Sequence, residues 1–267
     1  MTGQENTNAI VFIHQSSGSS AVWDDVVSEK KLNQFHLYCI DIDGNGDRWD
    51  KNAIGPDYSL ASLSNKILET INKLKLKNYI LVGVSIGTNI IGETADKLSN
   101  CKGIVLIGAP IVGGKITPAE VLLPFEYGHV LIDVAPKDSD LDHYISGLTY
   151  YQNQKQQEML KADYLKTDPN YRKQLLNTIN EGLWSDEIGN LRDSHQPVMV
   201  VYGIYDKICN TRFLENVGLH LWQNKIHLID NAGHLAHLDQ PAFFSKLLVG
   251  FATDVFGESQ TTSSPNS

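Results

Sequence analysis

The chain has 267 residues, of which 42% are apolar and 20% charged, and it carries a net charge of −9. That length suits one large α/β domain or two small ones. The acidic balance leaves no electropositive footprint for nucleic acid, and no run is long and apolar enough to span a bilayer. Residues 1–8 are polar and lack the basic and apolar regions of a signal peptide. Three cysteines, Cys39, Cys101 and Cys209, sit far apart, which argues against a disulfide framework and for a reducing, cytoplasmic setting.

Short apolar runs alternate with helical patterns, the signature of βαβ units and a largely parallel sheet. The first strand is expected over Ala9–His14, followed by a Ser/Gly-rich loop and a helical stretch near Val22–Lys31. The second strand is expected over Phe35–Asp41. Leu60, Leu63, Ile67, Leu68, Ile71 and Leu74 then fall on one helical face. Tyr79-Ile80-Leu81-Val82 reads as a strand, and Ile86, Ile90, Ile91, Ala95 and Leu98 as the buried face of the next helix. Further strands are expected at Gly103–Ile107, Pro197–Tyr202 and Lys225–Ile229, with a closing helix from Ala242 to Val255.

Residues 112–191 break this alternation. They read as several helices without a clear strand, and are expected to form a cap inserted between two strands, over the strand ends where such sheets bind ligands. The expected division is therefore a core of residues 1–111 and 192–256, a helical cap of residues 112–191, and a disordered Ser/Thr-rich tail of residues 257–267.

The chemistry concentrates in Gly83-Val84-Ser85-Ile86-Gly87, a Gly-x-Ser-x-Gly between strand and helix. This nucleophile elbow lifts a serine to the apex of a tight turn, where a Cβ at either glycine would clash. A serine hydroxyl needs a base to take its proton, and the base needs a carboxylate to fix its tautomer. Asp206 and His234 supply these in the required order, each on a loop after a strand. Asp230 is the rival acid, set too close in sequence to reach across to the ring of His234. His237, three residues beyond His234, reads as a solvated or packed histidine. The N–H groups of Ile86 and of Ser16, in the loop after the first strand, are the candidate oxyanion donors. No metal or organic cofactor is implied. His234, His237 and Asp239 do not make an open three-ligand zinc set with supporting partners.

Together these residues resemble the α/β-hydrolase superfamily from about Ala9 to Val255, implying a doubly wound, mostly parallel sheet with an inserted helical cap. The usual His-Gly after the first core strand is His14-Gln15 here. The family's Asp-x-Pro-Gly-His-Gly loop is similar to Asp41-Ile42-Asp43-Gly44-Asn45-Gly46. Within the superfamily the chain looks most like N-acyl-homoserine lactonases of α/β-hydrolase type. The matching stretches are His14 to Trp23, Pro56-Asp57-Tyr58-Ser59, the elbow, and Leu221-Trp222 followed by His227 to His234. The segment Asp140-Leu141-Asp142-His143-Tyr144 aligns with one whose tyrosine contacts the lactone, so the resemblance makes Tyr144 a substrate contact. The expected activity is hydrolysis of a carboxylic ester, first of all a lactone, with a small-molecule substrate, no nucleic acid or membrane partner, and an oligomeric state left open. Alternatives are a general carboxylesterase, thioesterase or carbon–carbon bond hydrolase, and a non-catalytic receptor on the same scaffold.

Overall fold

A computed structural model describes residues 8–52 and 54–257. The first seven residues and the expected tail beyond residue 257 lie outside that range. Six strands, β1 (Asn8–Ile13), β2 (His36–Ile40), β3 (Asn78–Val84), β4 (Cys101–Ile107), β5 (Val198–Gly203) and β6 (His227–Ile229), form one sheet in the order β2-β1-β3-β4-β5-β6. Every pairing is parallel. The inner strands are buried on both faces, which is why they read as unbroken apolar runs. Ile10, Phe12, Ile80 and Val82 pack on one side of the sheet, and Val11, Ile13, Leu81 and Leu106 on the other.

The helices are α1 (Asp24–Val27), α2 (Leu60–Leu74), α3 (Ile86–Thr94), α4 (Pro118–Val121), α5 (Asp138–Leu148), α6 (Gln154–Lys166), α7 (Pro169–Glu181), α8 (Glu187–Asp193), α9 (Ala236–Asp239) and α10 (Pro241–Gly257). Helix α2 is as its pattern predicts. The Ser59 hydroxyl accepts from Ser62 N–H at its start, Leu63, Ile67 and Ile71 are buried, and Lys75 ends it in a left-handed turn. No helix among the described residues is long and apolar enough to cross a membrane.

Two expectations need correction. The helical stretch near residues 22–31 is a 3-10 turn at Ser20–Trp23, the single turn α1, and another 3-10 turn at Lys30–Leu32. Ser28 Oγ donates back to Asp25 O, a local bond that competes with helix propagation. The helix after the elbow stops at Thr94, whose hydroxyl donates to Ile90 O and Ile91 O, so Ala95 and Leu98 pack from a 3-10 turn and its exit.

Strand addition reverses between β1 and β3, which opens a crevice at the carboxyl ends of those strands. Helices α4 to α8 are all inserted between β4 and β5. This insertion is tied to the core beside the crevice: Ser19 Oγ donates to Asp163 Oδ2 at 2.7 Å, and Tyr58 OH to Asp168 Oδ2 at 2.9 Å.

Candidate active site

Ser85 sits between β3 and α3 with φ 52° and ψ −123°, a backbone conformation that a serine adopts only when its surroundings enforce it. The enforcement is visible. Ser85 N–H donates to Ile107 O at 3.0 Å, and the Thr88 hydroxyl to Ser85 O at 2.7 Å. A Cβ on Gly83 would lie 2.6 Å from Gly87 O, and one on Gly87 would lie 2.7 Å from Ile13 O. The two glycines therefore allow the start of α3 to press against the end of β1, bringing Ile86 next to the loop that carries Ser16.

That loop is fixed by His14. Its Nδ1–H donates to Gln15 O at 2.7 Å and its Nε2 accepts from Ile42 N–H at 2.9 Å, which sets the tautomer. Complete burial lowers its pKa and keeps it neutral. Ser16, Ser85 and Ile86 all border one cavity.

Asp206 and His234, 28 residues apart, meet in the structure: Asp206 Oδ2 lies 3.0 Å from His234 Nδ1, with both side chains buried. Asp206 Oδ1 accepts from Ile208 N–H at 2.8 Å and Cys209 N–H at 3.0 Å. These bonds fix the carboxylate and direct its other oxygen at the ring. A Cβ on Gly108, at the end of β4, would stand 2.9 Å from the His234 ring, so the glycine makes room for the base. Asp230 is exposed.

His237 is buried on α9, stacked on Trp23. Asp239 turns away from the histidines. Its carboxylate accepts from Gly233 N–H at 2.8 Å, Tyr150 N–H at 2.8 Å and Tyr151 N–H at 3.0 Å. Asp206, Cys209 and His234 bring metal-ligand-type atoms within 4.8 Å of one another. Both Asp206 oxygens are already engaged, and burial pushes the Cys209 thiol well up and keeps it protonated. This donor set is suited to orienting an imidazole, and poorly suited to a cation.

The cavity holds about 610 Å³ of non-protein space, part of it open to solvent. From Ser85 it runs along the first turn of α3, past Ile86 and Asn89, and beneath Leu131, Leu175, Ile179 and Trp184 of the insertion. Among its lining residues the one ionisable side chain is Glu187. Its carboxyl accepts from Asn89 Nδ2 at 2.9 Å and Val112 N–H at 2.9 Å, and burial pushes its pKa up. Tyr144 lies outside this lining. It is buried on α5 beside Phe125, and burial raises its pKa. Sequence reasoning weighed Asp239 only as a zinc ligand and did not single out Glu187 or Arg172. Each acts on a partner far away in the chain.

The sequence profile of the α/β-hydrolase fold family matches residues 8–241, and the chain belongs to that family. A Bacillus subtilis (strain 168) protein named as a candidate 2-succinyl-6-hydroxy-2,4-cyclohexadiene-1-carboxylate synthase is 24% identical, over 95% of this chain and 93% of its own length. Mouse monoacylglycerol lipase ABHD6 is 21% identical, over 92% of this chain and 76% of its own. Among solved structures, the N-acyl homoserine lactonase AidH, complexed with N-butanoyl homoserine, superposes with a TM-score of 0.81 at 20% identity, covering 97% of this chain and 92% of that one.

Proposed function

We propose that this chain is a serine hydrolase of carboxylic esters whose preferred substrates are lactones bearing an apolar acyl chain, such as N-acyl-homoserine lactones. Ser85 attacks the carbonyl carbon. His234 Nε2 takes the hydroxyl proton and returns it to the leaving oxygen, while Asp206 holds the imidazole by Nδ1 and stabilises its charged form. The N–H groups of Ile86 and Ser16 stabilise the oxyanion. Water, activated by the same histidine, then releases the acyl group. The helical insertion acts as a cap that closes over the acyl chain. The free cysteines support a cytoplasmic setting.

The observation that carries this reading is the largely apolar cavity opening on Ser85. It suits a hydrocarbon chain and offers no cation to a carboxylate-bearing molecule of the kind named for the Bacillus relative. The neighbouring lactonase supports the lactone within the ester class. The test is a panel of N-acyl-homoserine lactones of varied chain length beside aryl esters, run with wild type and Tyr144→Phe. Lactone opening supports the substrate; an about five- to tenfold weaker kcat/KM in Tyr144→Phe adds its hydroxyl as a substrate contact, and an unchanged one agrees with its place outside the cavity lining. Good aryl ester turnover with no lactone opened at any length replaces the lactonase with a general esterase. Failure on every ester leaves carbon–carbon bond chemistry or a receptor.

A further inference from the structure

The loop that carries Ser16 is gripped from the insertion as well as from the core. The grip comes from the first turn of α7, through Arg172, which follows Tyr171. Tyr171 is buried, and its ring stands edge-on to Tyr58 with centroids 6.0 Å apart. Burial raises its phenol to about 12, and its hydroxyl finds no hydrogen-bond partner among the described residues. Arg172 is 3% exposed, an uncommon degree of burial for a guanidinium. Its Nε donates to Asp133 O at 2.8 Å, and its Nη1 to Tyr164 O at 3.1 Å and to Ser17 Oγ at 3.4 Å. The guanidinium lies 4.1 Å over the Tyr164 ring.

Ser17 needs such a hold. Its φ is +53°, in the left-handed region that costs a serine about 1 kcal/mol or more unless its surroundings over-determine it. Ser16 is its immediate neighbour, so any relaxation of Ser17 swings the backbone from which Ser16 N–H projects. The carbonyls of Asp133 and Tyr164 fix two donors of the planar guanidinium, and the fork therefore delivers Nη1 to Ser17 in one orientation.

We propose that Arg172 is a positioning residue of the hydrolysis: from α7 it holds Ser17 and, through the shared backbone, Ser16, so that the Ser16 N–H faces the substrate carbonyl oxygen, and the insertion thereby completes the oxyanion hole. The inference rests on the reading of Ser16 and Ile86 as oxyanion donors. Its consequence is a defect in kcat. A misaimed oxyanion donor stabilises the ground state and the cavity as before but loses its bond to the developing charge.

The test uses Arg172→Met, Ser17→Ala, Tyr164→Phe and Ser85→Ala, assayed on an aryl ester well below each variant's melting temperature. Arg172→Met keeps the apolar stem and removes the donors. Its kcat should fall about 30- to 100-fold with KM within about threefold, and the rate of Ser85 labelling by a fluorophosphonate should fall in step. Ser17→Ala removes the contacted hydroxyl alone and should lower kcat by about three- to tenfold, one hydrogen bond's worth. Tyr164→Phe removes a hydroxyl that donates to Val130 O and Asp133 O but keeps the ring beneath Arg172. It should lower the melting temperature and cost kcat clearly less than Arg172→Met does, since the guanidinium, its two carbonyl acceptors and Ser17 Oγ all remain. A kcat for Arg172→Met within about threefold of wild type, a loss confined to KM, or an equal loss in Tyr164→Phe overturns the proposal. Should Arg172→Met not fold, an unchanged kcat in Ser17→Ala overturns it. In these cases an inactive Ser85→Ala leaves the hydrolase reading standing. An active Ser85→Ala, or wild type inert to every ester, removes that reading itself.

Discussion

The imidazole of His237 stacks on the indole of Trp23, with ring centroids 4.3 Å apart and planes inclined by 32°. Neither ring nitrogen finds a hydrogen-bond partner among the described residues, and burial lowers the pKa from 6.5 to about 3. Between those values the unfolded chain takes up a proton that the folded chain refuses, so stability falls as pH drops from 6.5 toward 3. The loss from this one group should reach about 2 kcal/mol at pH 5. His237→Phe, which keeps an aromatic ring against Trp23, should show a correspondingly smaller loss between pH 7 and pH 5 in urea unfolding. Equal losses in the two proteins would show that His237 titrates normally.

Ser85→Ala should abolish ester turnover, by roughly 10⁴- to 10⁶-fold in kcat, with the fold retained. Alanine keeps the Cβ that the elbow already accommodates, and the backbone bonds of residue 85 to Ile107 and Thr88 do not involve its hydroxyl. Circular dichroism and single-turnover kinetics check the two halves of this expectation. Retention of even a tenth of wild-type activity would remove Ser85 from its role.

The two candidate acids should separate sharply. Asp206→Asn places an amide beside His234 Nδ1, favours the wrong tautomer, and should lower kcat several hundred-fold or more, by roughly 10³ to 10⁴ at the upper end. Asp230 is exposed, and Asp230→Asn should change kcat by less than about twofold. The opposite ranking in steady-state kinetics would move the acid to Asp230.

Chelation should leave turnover unchanged. The clustered Asp206, Cys209 and His234 offer a metal only occupied carboxylate oxygens, a neutral thiol, and a ring nitrogen facing its acid. Activity measured after dialysis against EDTA should match the untreated protein. Loss on dialysis, with recovery on adding zinc, would reverse the assignment.

The sheet was legible because its inner strands are buried on both faces, and an unbroken apolar run is the local mark of that environment. The edge strand β6 was harder to delimit. It is only His227–Ile229, with Leu228 exposed, so burial marks its ends weakly. The segment after Ser19 carries Val22, Trp23, Val26 and Leu32 into the core from short turns, a solution set by packing that periodicity does not encode. Ser85 announced itself through flanking glycines, and Asp206 and His234 through their places after strands. Glu187 and Arg172 had no such local mark, and the spacing of Asp239 after two histidines pointed to a metal in place of its real partners, the backbone N–H groups of Gly233, Tyr150 and Tyr151. Glu187 reaches Asn89 across 98 residues and Arg172 reaches Ser17 across 155, so nothing near either residue signals the pairing.

Asp239 bears on how freely this scaffold can be recombined. One of its carboxylate oxygens receives an N–H from the loop of His234 and another from Tyr150, and its other oxygen receives Tyr151. Leu235 N–H, next to the histidine, donates to Leu148 O at 2.9 Å. The stretch 148–151 thus serves as a splint for the very loop that presents the imidazole. A chimera that exchanged the whole insertion for that of a relative would leave Asp239 a buried, half-satisfied anion and its loop without a rail. Transplants that alter specificity on this framework should therefore keep 148–151 with the host and graft only the helices beyond it.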